Sequence, residues 1–175
     1  KIVDVRCAIC TAVSNAFGIV MPFYELDEHC AKLGIPMIID ASQAAGILDI
    51  DTKKLKATKF IAMPGHKSLY GPSGTGVLLS LDETAVKPLL FGGTGSNSMD
   101  ISQPNFLPDM LESGTQNVVG IAGLHAGVRH ILNRGVKNIY AHETGLIEIA
   151  KKELEGYQLF PTASGVLSFK VKDVS

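Results

Sequence analysis

Two charged residues stand where charge is expensive. Lys67 lies in Pro64–Pro72, PGHKSLYGP, a glycine- and proline-bracketed turn between the apolar runs FIAM and GVLLSL. Asp40 lies in IIDASQAAG, directly after the apolar run Pro36–Ile39. A carboxylate at the end of a buried strand is costly unless it meets a positive partner. A lysine so placed is either paired or has its amine recruited for covalent chemistry. The two could pair with each other as a structural salt bridge. They could also serve one reaction centre, because open α/β sheets collect ligand sites at the ends of their strands.

The second reading has a specific form. Pyridoxal 5'-phosphate needs a lysine amine to carry it covalently and an acidic group to keep its pyridine nitrogen protonated. Its ring oxygen needs amide-type donors and its phosphate needs N–H, hydroxyl or imidazole groups. Gln43, three residues after Asp40, and Asn15 are the right kinds of group for the ring oxygen. His66, beside Lys67, and the hydroxyls near it suit the phosphate.

The elements that must position these groups alternate between strand and helix. Ile2–Val13 is β-branched and apolar and predicts a buried strand ending at Ser14-Asn15. Pro22 opens a predicted amphipathic helix with Phe23, Leu26, Cys30 and Leu33 at helical spacing and Gly34 as its stop. Pro36–Ile39 is an all-apolar run of the type found in parallel sheets covered on both faces. After a connector at Leu55–Thr58, strands are predicted at Phe60–Met63 and Gly76–Leu81. Helices are predicted over Asn117–Leu132, rich in small residues for close packing, and over His142–Leu154. Ahead of these helices, Phe91–Phe106 reads as a glycine-rich loop of a length that usually carries function. The expected class is α/β: a three-layer sandwich around a mostly parallel central sheet.

Composition narrows the class of partner. The 175 residues are 46% apolar and 19% charged, with a formal net charge of −1. That balance fits a core-burying domain and suggests neither a nucleic-acid nor an anionic-membrane partner. No apolar run is long enough to span a membrane and no signal peptide is visible, so a cytoplasmic protein is expected. Cys7, Cys10 and Cys30 are too few for a disulfide scaffold. Cys7 and Cys10 form a C-x-x-C in an apolar stretch without a turn, so all three cysteines are expected to be buried and structural. No histidine spacing supports a metal site. GHKS lacks the glycine that a phosphate-binding P-loop places directly before its lysine, and a strand rather than a helix follows GPSGTG, against a dinucleotide fingerprint.

The motifs SNAFG (14–18), IIDASQAAG (38–46), GHKSLYGPSGTGVL (65–78), GGTGS (92–96) and ESGTQN (112–117), in that order, resemble the class V pyridoxal-phosphate enzymes. Within them the sequence is similar to the cysteine desulfurase and selenocysteine lyase branch. The resemblance implies the large domain of a fold-type I enzyme over residues 1–155, with the linker and first strand of a small domain in 156–175 and a boundary near Glu155–Gly165. By the same resemblance Lys67 is the Schiff-base lysine and proton shuttle, and Asp40 binds the pyridine nitrogen. Gln43 and Asn15 bond the ring oxygen, and His66 helps hold the phosphate. Thr115 would reach the phosphate of a neighbouring subunit's cofactor, since family members are homodimers with shared sites, and the Gly92–Ser98 loop would lie near that entrance.

One departure is visible: Pro64 stands where the family usually has a phosphate-binding serine, removing a hydroxyl and an N–H. The resemblance also places the first phosphate loop and the ring-stacking residue upstream of Lys1, and the substrate-carboxylate arginine and persulfide-forming cysteine downstream of Ser175. The chain therefore reads as a fragment, with no catalytic role for Cys7, Cys10 or Cys30. The implied activity is cysteine desulfuration, with a sulfur-acceptor protein as a partner, and amino-group transfer on a small amino acid as the alternative. A non-catalytic fragment that folds and dimerises, and a nucleotide-binding α/β module, are the rival readings. Val166–Val171 is expected to be a strand with nothing after it to pair with.

Overall fold

The computed structural model describes residues 4–82, 86–93 and 100–171. Its centre is a four-stranded sheet in the order β1 (Ala8–Thr11), β2 (Met37–Asp40), β3 (Thr58–Pro64), β4 (Gly76–Ser80). The first three strands run parallel, and β4 returns antiparallel on β3. Register aligns Thr11 with Asp40 and Asp40 with Ala62. The carboxyl ends of the parallel strands therefore reach one edge of the sheet together. Sequence patterning places these strands well but does not fix the reversed direction of β4, which follows from the closed turn that joins it to β3.

Alternation along β2 sorts its faces. Met37 and Ile39 are fully buried, while Ile38 and Asp40 face the other side and are half-buried. The core face packs Cys10, Ile39 and Ile61 against Phe23 and Cys30 of α1 (Phe23–Lys32). A second cluster joins Leu69 to Leu124 and Ile131 of α2 (Val118–Arg134) and Ile139 of α3 (Val136–Glu153). On the opposite face Ile9 is 73% and Leu78 55% exposed.

The first predicted strand is shorter than its apolar run: β1 ends at Thr11, and Val13 instead forms an isolated bridge with Val20 as the chain turns back. Helix α1 also departs from the expected stripe. Leu26 is 37% and Leu33 60% exposed, and the buried positions are Phe23, Asp27 and Cys30. That spacing is equally helical, and its middle member is a carboxylate. Helix α3 begins at Val136, not His142, because a single residue separates it from α2. Gly135, at φ +83°, ends α2 by donating its N–H to Ile131 O and begins α3. Asn138 Nδ2 then closes the junction on Arg134 O at 2.8 Å.

At the chain's far end only Phe169–Lys170 (β6) is strand, and it has a partner after all. It pairs antiparallel with the preceding β5 (Gln158–Leu159). Cys10 and Cys30 are buried as expected, and burial, with Cys30 nearby, pushes the Cys10 thiol up. Cys7 is exposed, because the strand that carries it starts only at Ala8. Among the described residues no helix is long and apolar enough to cross a membrane.

Asp27 is 1% exposed and holds the entry to β3. Its carboxylate accepts hydrogen bonds from the N–H groups of Lys56 (2.6 Å), Ala57 (3.1 Å) and Thr58 (2.7 Å) and from Thr58 Oγ1 (2.6 Å). Burial pushes the carboxyl up, but these bonds outweigh it and hold it below its ordinary range. A depressed folded-state value stabilises the fold fully above the unfolded value of about 3.9, and the contribution is lost as pH falls through the lower folded value. Asp27→Asn, which replaces an accepting oxygen by a donor, should cost about 3 kcal/mol at neutral pH. Urea titrations should show the deficit shrinking as pH falls through that acid window; a pH-independent deficit would refute the charge assignment.

Candidate active site

The strand ends deliver the polar groups to the same edge. Asp40 is the last residue of β2, and Ala12 N–H donates to its carbonyl at 2.8 Å, tying in the segment after β1. That segment turns through Ser14–Gly18 and carries Asn15, which is exposed. Beyond Asp40 the chain makes tight turns in which Ala44 and Ala45 donate back to Ala41 O. Gln43 sits half-buried in those turns.

The turn after β3 is closed by its own backbone. Gly65 N–H donates to Thr75 O at 2.8 Å, Gly71 N–H to Gly65 O at 2.7 Å, and Tyr70 N–H to Lys67 O at 3.0 Å. Thr75 Oγ1 adds a bond to Pro72 O at 2.6 Å. Helix α2 lies directly on this turn through a face of small residues, as their number in the sequence suggested. A Cβ on Gly127 would stand 2.3 Å from Leu69 O. Within the turn Lys67 is half-buried and His66 exposed. Pro64 ends β3 opposite Gly76, a strand terminus where a missing N–H is tolerated.

The salt bridge between Asp40 and Lys67 does not form. Among the described residues neither takes part in an ion pair. Asp40 Oδ1 instead accepts from Ser42 N–H at 2.9 Å and from Ser42 Oγ, which fixes the carboxylate and leaves Oδ2 uncommitted. The side chains of Lys67, Gln43, Asn15 and His66 make no hydrogen bond to described residues either. Sequence reasoning passed over Ser42, although the D-x-S spacing is a recognisable local hydrogen-bonding signal.

It also passed over Gly46, which brings the two loops together. Gly46 has φ +84°, and a Cβ there would lie 2.3 Å from Ser68 O and 3.1 Å from Ser68 C, the backbone next to Lys67. The loop that follows Asp40 therefore rests on the peptide that follows Lys67, a contact only glycine allows. Thr115 is exposed, two residues before the α2 cap Asn117. In the Gly92–Ser98 loop, Gly92 and Gly93 are exposed and 94–98 lie outside the described residues.

The family model Aminotransferase class-V matches residues 3–175, and the chain belongs to that family. It is 35% identical over 97% of its length to a probable cysteine desulfurase of Xylella fastidiosa (strain 9a5c), and 31% identical over 98% to one of Pyrococcus abyssi. It spans 42% and 45% of these relatives, about half their length. The apo structure of a cysteine desulfurase from Thermococcus onnurineus NA1 superposes with a TM-score of 0.85 at 31% identity, covering 97% of this chain and 45% of that one. A cysteine desulfurase from Escherichia coli gives 0.84 at 28%, covering 97% and 44%. The fold is thus a partial large domain of fold-type I, with a mostly parallel sheet and flanking helices.

Members of this family use pyridoxal 5'-phosphate. The residues present fit that group. Among the described residues, an amine without an ion-pair partner lies in the turn after β3 and a carboxylate with an uncommitted oxygen ends the neighbouring β2, with His66 and Gln43 on the same two loops.

Gly46→Ala should lower the melting temperature by several degrees, since both the backbone angle and the approach to Ser68 are lost. Cofactor affinity, read by fluorescence titration of the full-length protein, should fall with it. Unchanged affinity would show that the two loops are not mechanically joined.

Proposed function

We propose that this chain is the cofactor-binding portion of a pyridoxal-phosphate enzyme that removes sulfur from cysteine, leaving alanine. The observation that carries the reading is the placement of Asp40 at the end of β2 and Lys67 in the turn after the neighbouring β3, without ion pairs among the described residues and with their loops in contact through Gly46. The named relatives support the substrate. In this reading residues 1–155 belong to the large domain and 156–175 lead into a small one.

Lys67 Nζ would hold the cofactor and, with substrate bound, would move the proton at the substrate α-carbon. Asp40 holds a proton on the ring nitrogen, with Ser42 keeping its carboxylate in place. Gln43 and Asn15 would orient the ring through its oxygen, and His66 would help hold the phosphate. When bound, the cofactor supplies an electron sink for charge at the α-carbon. Thr115, which is exposed, suits a role toward the phosphate in the second subunit of a homodimer. A sulfur-acceptor protein completes the cycle, and the cytoplasm is its expected compartment.

Amino-group transfer is the second reading, favoured by the description of the matched family. Product analysis of the full-length protein with cysteine separates the two. Alanine plus sulfane sulfur, read as sulfide after a thiol reductant is added, supports desulfuration, and a keto acid supports transfer. Borohydride reduction of the loaded protein should fix the cofactor on Lys67, and Lys67→Ala should abolish both the fixed label and the visible band. A label retained on another lysine overturns the site. Asp40→Asn should keep the fold and slow turnover on the order of 100-fold.

A further inference from the structure

The loop that carries Asn15 is held by a segment from the far end of the chain. Ala163 N–H donates to Gly18 O at 3.0 Å, and Thr162 Oγ1 donates to the same oxygen at 3.4 Å. Ser168 Oγ donates to Ala16 O. Phe17 and Phe160 meet edge to face with centroids 5.2 Å apart.

The seat for this segment is Gly18. At φ +67°, a Cβ there would stand 2.2 Å from Thr162 Oγ1, 2.6 Å from Val166 O and 2.7 Å from Ser164 Oγ. Ser164 is only 2% exposed, so the contact is closed to solvent. The other side of the segment rests on α3. Tyr140 Oη donates to Ala163 O at 3.1 Å, and Gly165 lies against Glu143. The loop itself has little support of its own. Asn15, Ala16 and Phe17 are exposed, and its internal bonds are Gly18 N–H to Ser14 O (2.9 Å), Ser14 N–H to Ile19 O (2.9 Å) and Phe17 N–H to Ser14 Oγ (3.3 Å).

We propose that residues 160–168 are a positioning strap: seated on Gly18 and backed by α3, they fix the 14–18 loop so that the Asn15 amide meets the cofactor's ring oxygen. The inference rests on the role given to Asn15 above. It adds that the far end of the chain sets that residue's geometry, and that Gly18 is a positioning residue.

The test compares Gly18→Ala, the strap variant Ser168→Ala/Thr162→Val, and Asn15→Ala in the full-length protein. Gly34→Ala is the control, because Gly34 has φ +68° with nothing within 4 Å of its Cβ position. Three quantities are read: amide hydrogen exchange of residues 14–18 without cofactor, affinity for pyridoxal phosphate, and the pH at which the bound cofactor's visible band titrates. Removing a donor from the ring oxygen moves that midpoint, so Asn15→Ala defines its direction. Gly18→Ala and the strap variant should speed exchange about tenfold and weaken affinity by a similar factor. Both should move the midpoint as Asn15→Ala does, and adding Asn15→Ala to Gly18→Ala should move it no further than Asn15→Ala alone. Gly34→Ala should lower thermal stability only.

The outcomes separate. If Asn15→Ala leaves affinity and midpoint unchanged, the role of Asn15 fails and the strap's purpose with it. If Asn15→Ala shifts both while the strap variant and Gly18→Ala shift neither, the site stands and the coupling is overturned. Should Gly18→Ala fail to fold, the strap variant, whose changes are confined to two hydroxyls, decides alone.

Discussion

The register of β3 depends on one buried carboxylate. Asp27 gathers the N–H groups of Lys56, Ala57 and Thr58 as the strand begins, at the point where the pairing with β2 shifts between Met37 and Ile38. Side chains alternate along a strand, so a slip of one residue would exchange Ile61 with its solvent-side neighbours. It would also move the far end of the strand, and with it the turn that carries Lys67. Burying a charge costs several kcal/mol when it is alone. Here the charge is fully bonded, and the amides it binds would themselves be unsatisfied without it. The balance favours a fixed strand entry more than a large gain in stability.

From that entry, backbone packing carries the order to the site. The turn from Gly65 to Thr75 closes on itself, α2 presses on it through glycine, and Gly46 brings the Asp40 loop onto Ser68. None of these contacts uses a functional side chain. The consequence is chemical: the turn that carries Lys67 is held by its own backbone, the Thr75 hydroxyl and Leu69, so among the described residues the amine is not spent in an ion pair, and Asp40 is held by Ser42 through one oxygen only. Sites held by rigid elements with an independent supporting layer keep their geometry while their reactive groups stay uncommitted.

Much of this was legible in sequence where one physical demand dominates. An apolar run ending in a charge gave β2 and Asp40, and a glycine-bracketed lysine gave the turn at Lys67. Small residues gave the close face of α2. What was not legible depends on partners distant in sequence. Asp27 looks like one more surface acid in YELDEH until the amides of 56–58 arrive, some 30 residues later. Gly46 reads as a generic turn residue until Ser68 stands against it. The start of α3 was missed because Gly135 serves two helices at once, and β6 found its partner behind it in the chain.

The two sides of the site are supported differently. The Asp40–Gly46 loop has no exposed residue, with Ala41 and Ala44 fully buried, and is pinned between sheet, turn and α2, so the carboxylate and the lysine share one stiff frame. The Asn15 loop is exposed, and its firmest outside contacts come from residues 160–168, about 145 positions away in sequence. Closing so long a loop carries an entropy cost that its few contacts must offset, which makes this contact easier to lose than those within the frame. In the proposed site the core would set the ring-nitrogen side, whereas the ring-oxygen side would follow the strap. Any displacement of the segment after α3 reaches Asn15 before it reaches Lys67.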